Sequence, residues 1–189
     1  GAMGDGPDVQ SVQALGGLKD RYFLEHLKKH GIDSYEAAIA LARRLRAQKI
    51  KTAVVSSSVN CAAALEAAGI APLFDARVDG NDLTGELKGK PAPDAFIEAA
   101  RRVGADPRRS VVVEDAIVGV ESGRAGGFGF VIGVDRSGHA QALRDAGADI
   151  VVTDLAQIQV ALEPPSAWSL EFQGFAPADE GIREALCAL

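Results

Sequence analysis

At 189 residues, with 47% hydrophobic and 24% charged side chains, the chain is long enough for one globular domain, or one plus a fragment. Its net charge of −6 argues against a nucleic-acid binder, which needs clustered Lys and Arg against phosphates. No apolar run approaches the ~18 residues of a membrane span. The two cysteines, Cys61 and Cys187, lie far apart without metal-ligand spacing, as expected of free thiols in a reducing cytoplasm. Residues 1–4 read as a tag-cleavage remnant, and no signal peptide is expected after them.

Residues 5–17 are weakly patterned, with Val9, Val12 and Leu15 on one face of a short helix. Residues 19–30 make a better helix: Phe23, Leu24 and Leu27 form its stripe, Lys28, Lys29 and His30 suit its carboxyl end, and Gly31 stops it. His26 and His30 have zinc spacing, but no Cys or further His joins them, so a solvated face is the better reading. Asp33-Ser34-Tyr35-Glu36 reads as a capping box opening a helix to Gln48. Its inward positions are Ala38, Ile39, Leu41, Ala42 and Leu45, with Arg43, Arg44, Arg46 and Lys49 in water.

Residues 50–55 form a strand that runs into Ser56-Ser57-Ser58, before a helix over 60–68 stopped by Gly69. A strand, a hydroxyl-rich turn and a helix N-terminus make an anion site, although a capping serine gives the same pattern. A connector over 71–85 holds a short strand at Arg77 and Val78. In Lys90-Pro91-Ala92-Pro93-Asp94 the prolines stiffen the turn and delay the next helix to 94–103. A lysine on a rigid turn can be aimed at a fixed anion; an exposed lysine is the plain alternative.

Val111–Val113 make a buried strand, followed at once by Glu114 and Asp115. A helix comes next, with Ile117, Val118, Val120 and Glu121 sharing its register and Gly126-Gly127 ending it. Acids at the carboxyl end of a parallel strand stand where open α/β sheets hold ligands. Two adjacent acids raise each other's pKa unless a cation neutralises them, and all-oxygen donors favour Mg²⁺. The preference of helix N-termini for acids is the alternative. A strand over 128–134, a helix over 137–146 and a strand over 150–152 follow, then a last helix to Leu162 capped by Thr153 or Asp154. This alternation specifies an α/β fold with a parallel sheet and helices on both faces. Glu163-Pro164-Pro165-Ser166 is a linker. Beyond it, Trp168, Leu170 and Phe172 alternate as a half-buried antiparallel strand, and residues 179–189 pattern as a helix with Ile182, Ala185, Leu186 and Leu189 on one side. No Gly-x-Gly-x-x-Gly follows a first strand, so a dinucleotide site is not expected. A phosphoacceptor receiver domain would put the acids on its first strand and the lysine on its last, the reverse of this order.

Ser56 after its strand, Lys90 on its turn and the strand ending Glu114-Asp115, together with the string GKPAPDAFIEAARRVGADPRRSVVVEDAIVGVESGRAGGF, closely resemble the haloacid dehalogenase superfamily. The β-phosphoglucomutase-like branch is nearest, and the resemblance covers roughly residues 18–158. It implies a three-layer Rossmann-like core and Mg²⁺-dependent phosphoryl transfer on a small sugar phosphate, as mutase or phosphatase. A trehalose-phosphate-type phosphatase is the nearest alternative. By the same resemblance Ser56 bonds the transferring phosphoryl group, with the Ser57 N–H and the Asn60 side chain helping to hold it. Lys90 neutralises phosphate charge, and Glu114 and Asp115 anchor Mg²⁺.

One motif of that superfamily is absent: an apolar strand ending Asp-x-Asp, whose first Asp is the nucleophile. Asp5 and Asp8 follow no apolar strand, and Asp79 and Asp82 come after the serine motif. The resemblance therefore implies a fragment inactive by itself. Residues 5–33 are then a remnant of a helical cap and 34–162 an incomplete core, with a linker at 163–167. Residues 168–189 resemble the opening of the glycosidase-like maltose, trehalose and kojibiose phosphorylases, some of which release β-glucose 1-phosphate, a β-phosphoglucomutase substrate. A non-catalytic scaffold joined to such a domain is the reading from another class. The lost strand is central in the superfamily's sheet, so residues 52–55 and 111–113 face a gap. Three outcomes are expected: the neighbours close up, another segment of the chain fills the slot, or self-association brings in a second chain.

Overall fold

The computed structural model describes residues 9–30, 36–83, 85, 87–160, 170–172 and 184–187. Helix α1 (Val9–His30) leads to α2 (Glu36–Ala47), then β1 (Ala53–Val55), α3 (Cys61–Ala67), β2 (Ala76–Val78) and α4 (Asp94–Val103). β3 (Ser110–Glu114), α5 (Ile117–Ala125), β4 (Phe130–Val134), α6 (Ala140–Asp145) and β5 (Ile150–Val152) complete the alternation. β6 (Ile158–Val160), β7 (Leu170–Phe172) and β8 (Glu184–Cys187) close the chain.

The main sheet has the order β2-β1-β8-β3-β4-β5. Every pairing in it is parallel. Successive residues of β3 point to opposite faces, as pleating requires. Val111 and Val113 pack with Ala38, Leu41 and Leu45 of α2. Val112 packs on the other face with Phe96 and Ala99 of α4 and Val120 of α5. These are the two helical layers that the strand–helix alternation calls for. The five inward positions of α2 expected from its periodicity are all buried. Gly104, at φ 72°, ends α4 in the left-handed conformation that glycine adopts without penalty.

The slot between β1 and β3 is filled by the chain's own β8, the second of the three outcomes. Glu184, Ala185, Leu186 and Cys187 pair with Ser110, Val111, Val112 and Val113, and Cys187 also pairs with Val54. The helix expected over 179–189 is therefore corrected to a strand over Glu184–Cys187. The cause is tertiary: β1 and β3 are buried, and their inner edges present amide and carbonyl groups that need partners. That demand outweighs a weak helical pattern.

Three further expectations change. α1 is one helix of 22 residues that runs through Gly16 and Gly17, and Leu15 on it is exposed. The last helix, expected to reach Leu162, is a single 3₁₀ turn over Leu155–Gln157 closed by the Asp154–Gln157 capping box. The β-branched Ile158 and Val160 then pair antiparallel with Phe172 and Leu170. In α5 the inner face is formed by Gly119, Val120, Ser122 and Gly123, while Ile117 and Val118 are exposed. The Asp33–Tyr35 part of the capping box, the Gly31 stop, the 163–167 linker and the Trp168, Ile182 and Leu189 positions lie outside the described residues, as do the side chains of His26 and His30. No helix of the described residues is long and apolar enough to cross a membrane.

Candidate active site

Ser56, Lys90, Glu114 and Asp115 gather at the carboxyl edge of the parallel sheet, where helix N-termini and strand ends leave backbone donors for a ligand. Ser56 follows β1, and its N–H donates to the Val78 carbonyl at 2.9 Å. Glu114 ends β3 and Asp115 follows it. Cys187 is level with both Val54 and Val113. Ser56 and Asp115, each two residues further on, therefore stand at one height on either side of β8. Two strand spacings separate them, or about 10 Å between backbones.

Lys90 and Glu114 meet directly. The Lys90 ammonium is ion-paired to Glu114 Oε1, and Glu114 Oε2 accepts the Ala116 N–H at 2.9 Å. The Glu114 side chain is only 3% exposed and that of Lys90 13%. The ammonium also lies 5.1 Å from the ring centroid of the buried Phe96, a cation–π contact. α5 braces both partners. Gly119 lies so close to the Glu114 carboxylate that a Cβ there would overlap it. One turn on, the buried Ser122 hydroxyl donates to the Ala92 carbonyl at 2.7 Å. That carbonyl belongs to the turn carrying Lys90, which the Ala92 N–H closes onto the Gly89 carbonyl. The small residues of α5 thus set the spacing between carboxylate and ammonium.

Asp115 turns away from this pair. Its Oδ2 lies 3.1 Å from Arg136 Nε, and its side chain is 49% exposed. A cavity of about 270 Å³ opens beside it, walled by Ile117, Val118, Arg136, His139 and Leu143. Asp135, which follows β4, accepts the N–H groups of Ser137, Gly138, His139 and Ala140. The His139 N–H leads these bonds in holding the Asp135 carboxyl below its ordinary range.

On the other side of β8, Ser56 Oγ accepts the Ser58 N–H at 3.2 Å, and Ser58 Oγ accepts the Asn60 N–H at 3.2 Å. The exposed Ser57 lies between them. The Asn60 amide donates to Asp20 of α1 at 2.8 Å. Burial pushes the Cys61 thiol up from its usual value, and its hydrogen bond with Ser56 works the other way. Asp79, out of order for a catalytic acid, is buried and bound to Arg77 and Asn81.

The structure thus joins Lys90 to Glu114 and sets Ser56 level with Asp115, but gives Asp115 to Arg136 and Asn60 to Asp20. Sequence reasoning missed Arg136 and Asp20. Arg136 had a legible signal, a cation just past a strand on the same edge as the acids. Asp20 had none, because its contact depends on how α1 docks. Among the described residues, no group of three or more His, Cys, Asp or Glu side chains could hold a metal by itself. Asp115 supplies a hard oxygen donor, while both Glu114 oxygens are engaged. That donor set fits Mg²⁺, which is commonly bound through one or two carboxylates together with substrate phosphate oxygens and water.

A profile of haloacid dehalogenase-like hydrolases matches residues 11–127. A β-phosphoglucomutase of Mycobacterium bovis is 40% identical over 162 residues, which cover 84% of this chain and 62% of that protein. An uncharacterized glycosyl hydrolase of Mycobacterium tuberculosis is 39% identical over 152 residues, 79% of this chain but 11% of its own length. The chain therefore spans less than two thirds of either relative. Among solved structures, a haloacid dehalogenase family hydrolase of Deinococcus radiodurans, with bound phosphate and sodium, aligns at a TM-score of 0.60 and 30% identity, covering 80% of this chain and 73% of that one. The chain belongs to the haloacid dehalogenase-like hydrolase family, in its β-phosphoglucomutase-like branch.

Proposed function

We propose that this chain supplies the phosphate- and Mg²⁺-holding part of a phosphoryl-transfer site for a small sugar phosphate, used by a mutase or a phosphatase. The observation that carries the reading is the desolvated Lys90–Glu114 pair on the edge where Ser56 and Asp115 stand level. A loose phosphoryl transition state spreads charge over its equatorial oxygens and needs fixed cations and donors around them. Lys90, aimed by Glu114, Phe96 and the turn beneath it, is the fixed cation. The Ser56 hydroxyl and the Ser57 N–H are the donors. Asp115 would hold Mg²⁺, while Glu114 is engaged by Lys90 and the Ala116 N–H; when bound, the ion would supply further charge neutralisation at the phosphate.

The strand in the central slot, Glu184, Ala185, Leu186 and Cys187, contains no aspartate. The chain alone is therefore proposed to bind phosphate without turning it over. The substrate is a sugar phosphate, by analogy with the named activity of the mycobacterial relative, and the compartment is the cytoplasm, in keeping with a free buried thiol at Cys61. The same β8 observation favours a second reading, a non-catalytic scaffold attached to a glycosidase-like domain that begins within 168–189. The similar region of a much longer glycosyl hydrolase supports that arrangement.

Calorimetric titration with inorganic phosphate in the presence of Mg²⁺ separates the two. Binding weakened about tenfold or more by Lys90→Ala, the loss of one charge-assisted contact, is the expected result. Chelation should weaken it as well, and p-nitrophenyl phosphate should not be hydrolysed. No phosphate binding would favour the scaffold, and metal-dependent turnover would contradict the claim of inactivity.

A further inference from the structure

We propose that Arg136 is a built-in competitor of the metal at Asp115. The guanidinium and a divalent cation take the same carboxylate in turn, so Arg136 sets how tightly this edge of the sheet holds Mg²⁺. The proposal rests on the reading of Asp115 as the metal-holding acid.

The carrying observation is the ion pair between Arg136 Nε and Asp115 Oδ2 at 3.1 Å. Glu114 is level with Gly133 in the β3–β4 pairing, so Asp115 and Arg136 leave the sheet from the ends of adjacent strands. The loop carrying Arg136 is pinned from within, because the Asp135 carboxylate takes the N–H groups of Ser137, Gly138, His139 and Ala140. Two adjacent acids need neutralising cations, and the chain supplies one to each: Lys90 to Glu114 and Arg136 to Asp115. The two pairs differ in what they allow. Glu114 is buried and its second oxygen accepts the Ala116 N–H, so its cation is locked in place. Asp115 is half exposed, and both members of its pair line the cavity of about 270 Å³. The other titratable groups of that wall are committed, Asp135 to its four N–H groups and His139 Nδ1 to the Ser137 hydroxyl. A Mg²⁺ ion at its usual ~2.1 Å from an Asp115 oxygen would stand within a few ångströms of the guanidinium. Like charges that close repel, and arginine cannot escape by losing its proton. The guanidinium therefore swings away when the metal enters, and a partly exposed ion pair is weak enough to yield to a dication.

The test titrates Mg²⁺ alone into the full chain, with binding read by calorimetry and the Arg136 Nε–Hε resonance followed by NMR. Arg136→Gln identifies that resonance by its loss and keeps a donor without the charge. It is expected to bind Mg²⁺ about tenfold more tightly than wild type. Arg136→Lys keeps the cation and should stay within about threefold of wild type. In the wild-type protein the Arg136 resonance should shift with the same midpoint as metal binding. Three results overturn the competition while leaving Asp115 as the metal acid: wild-type affinity in Arg136→Gln, Arg136→Lys as tight as Arg136→Gln, or metal binding that leaves the Arg136 resonance unmoved. Asp115→Asn separates this from the reading beneath it. Metal binding that survives Asp115→Asn, or no binding by wild type and Arg136→Gln alike, overturns the role of Asp115 itself.

Discussion

Deleting residues 184–189 is expected to cost the protein most of its stability, although the deletion leaves every candidate site residue in place. β8 is flanked on both sides, by β3 from Ser110 to Val113 and by β1 at Val54. Both neighbours are buried, with Val54 and Val112 at 1% and 0% exposure. A paired backbone hydrogen bond contributes about 0.5–1.5 kcal/mol net, but a buried group left without a partner costs about 1–3 kcal/mol. Several such groups on two facing edges add up to a large share of the ~5–15 kcal/mol that holds a domain together. A marked drop of the urea midpoint, together with self-association through the opened edges on gel filtration, is the expected pair of results. Leu186→Pro in the full-length chain tests the same strand without a deletion, since proline cannot donate within a central strand. Should both variants keep the wild-type midpoint, the slot is not held by β8.

Lys90→Met carries the second large effect. It removes the cation from a carboxylate that is 3% exposed and held against α5 by the absence of a side chain at Gly119. Breaking one partner of a buried pair costs about 3–5 kcal/mol, mostly as the penalty on the abandoned charge. Lys90→Met/Glu114→Gln removes both charges and keeps the amide's capacity to accept the Ala116 N–H. It should recover most of the lost stability while still failing to bind phosphate. That non-additive pattern in urea midpoints distinguishes a coupled pair from two independent surface residues. If the single and double variants are equally mild, the pair is not buried as described.

How much of this was legible in the sequence follows from where each signal came from. Local signals held: the apolar β-branched run Val111 to Val113, the apolar periodicity of α2 and the glycine after α4 each correspond to an element of the structure. The edge positions of Ser56, Lys90, Glu114 and Asp115 were legible too, because each followed a strand or sat on a stiff turn. What failed was decided by tertiary demand. The pattern over 179–189 reads as a helix, and the demand of two otherwise unpaired sheet edges made Glu184–Cys187 a strand instead. Ile158 and Val160 left the expected last helix for the same reason, since β7 offered them a partner. On α5 the apolar Ile117 and Val118 misled, because contact with Glu114 and Ala92 requires small residues on the inner face. The Asp115–Arg136 and Asn60–Asp20 pairs depend on packing that no periodicity records.

The claim beneath all of this is that the two sides of β8 serve one anion. A crystal structure of the chain grown with Mg²⁺ and inorganic phosphate tests it most directly. The account predicts one phosphate within hydrogen-bond reach of both the Ser56 hydroxyl and the Lys90 ammonium, with Asp115 on the same edge available to hold the metal. Phosphate bound elsewhere, or bound by only one of these groups with the other turned away, would contradict it.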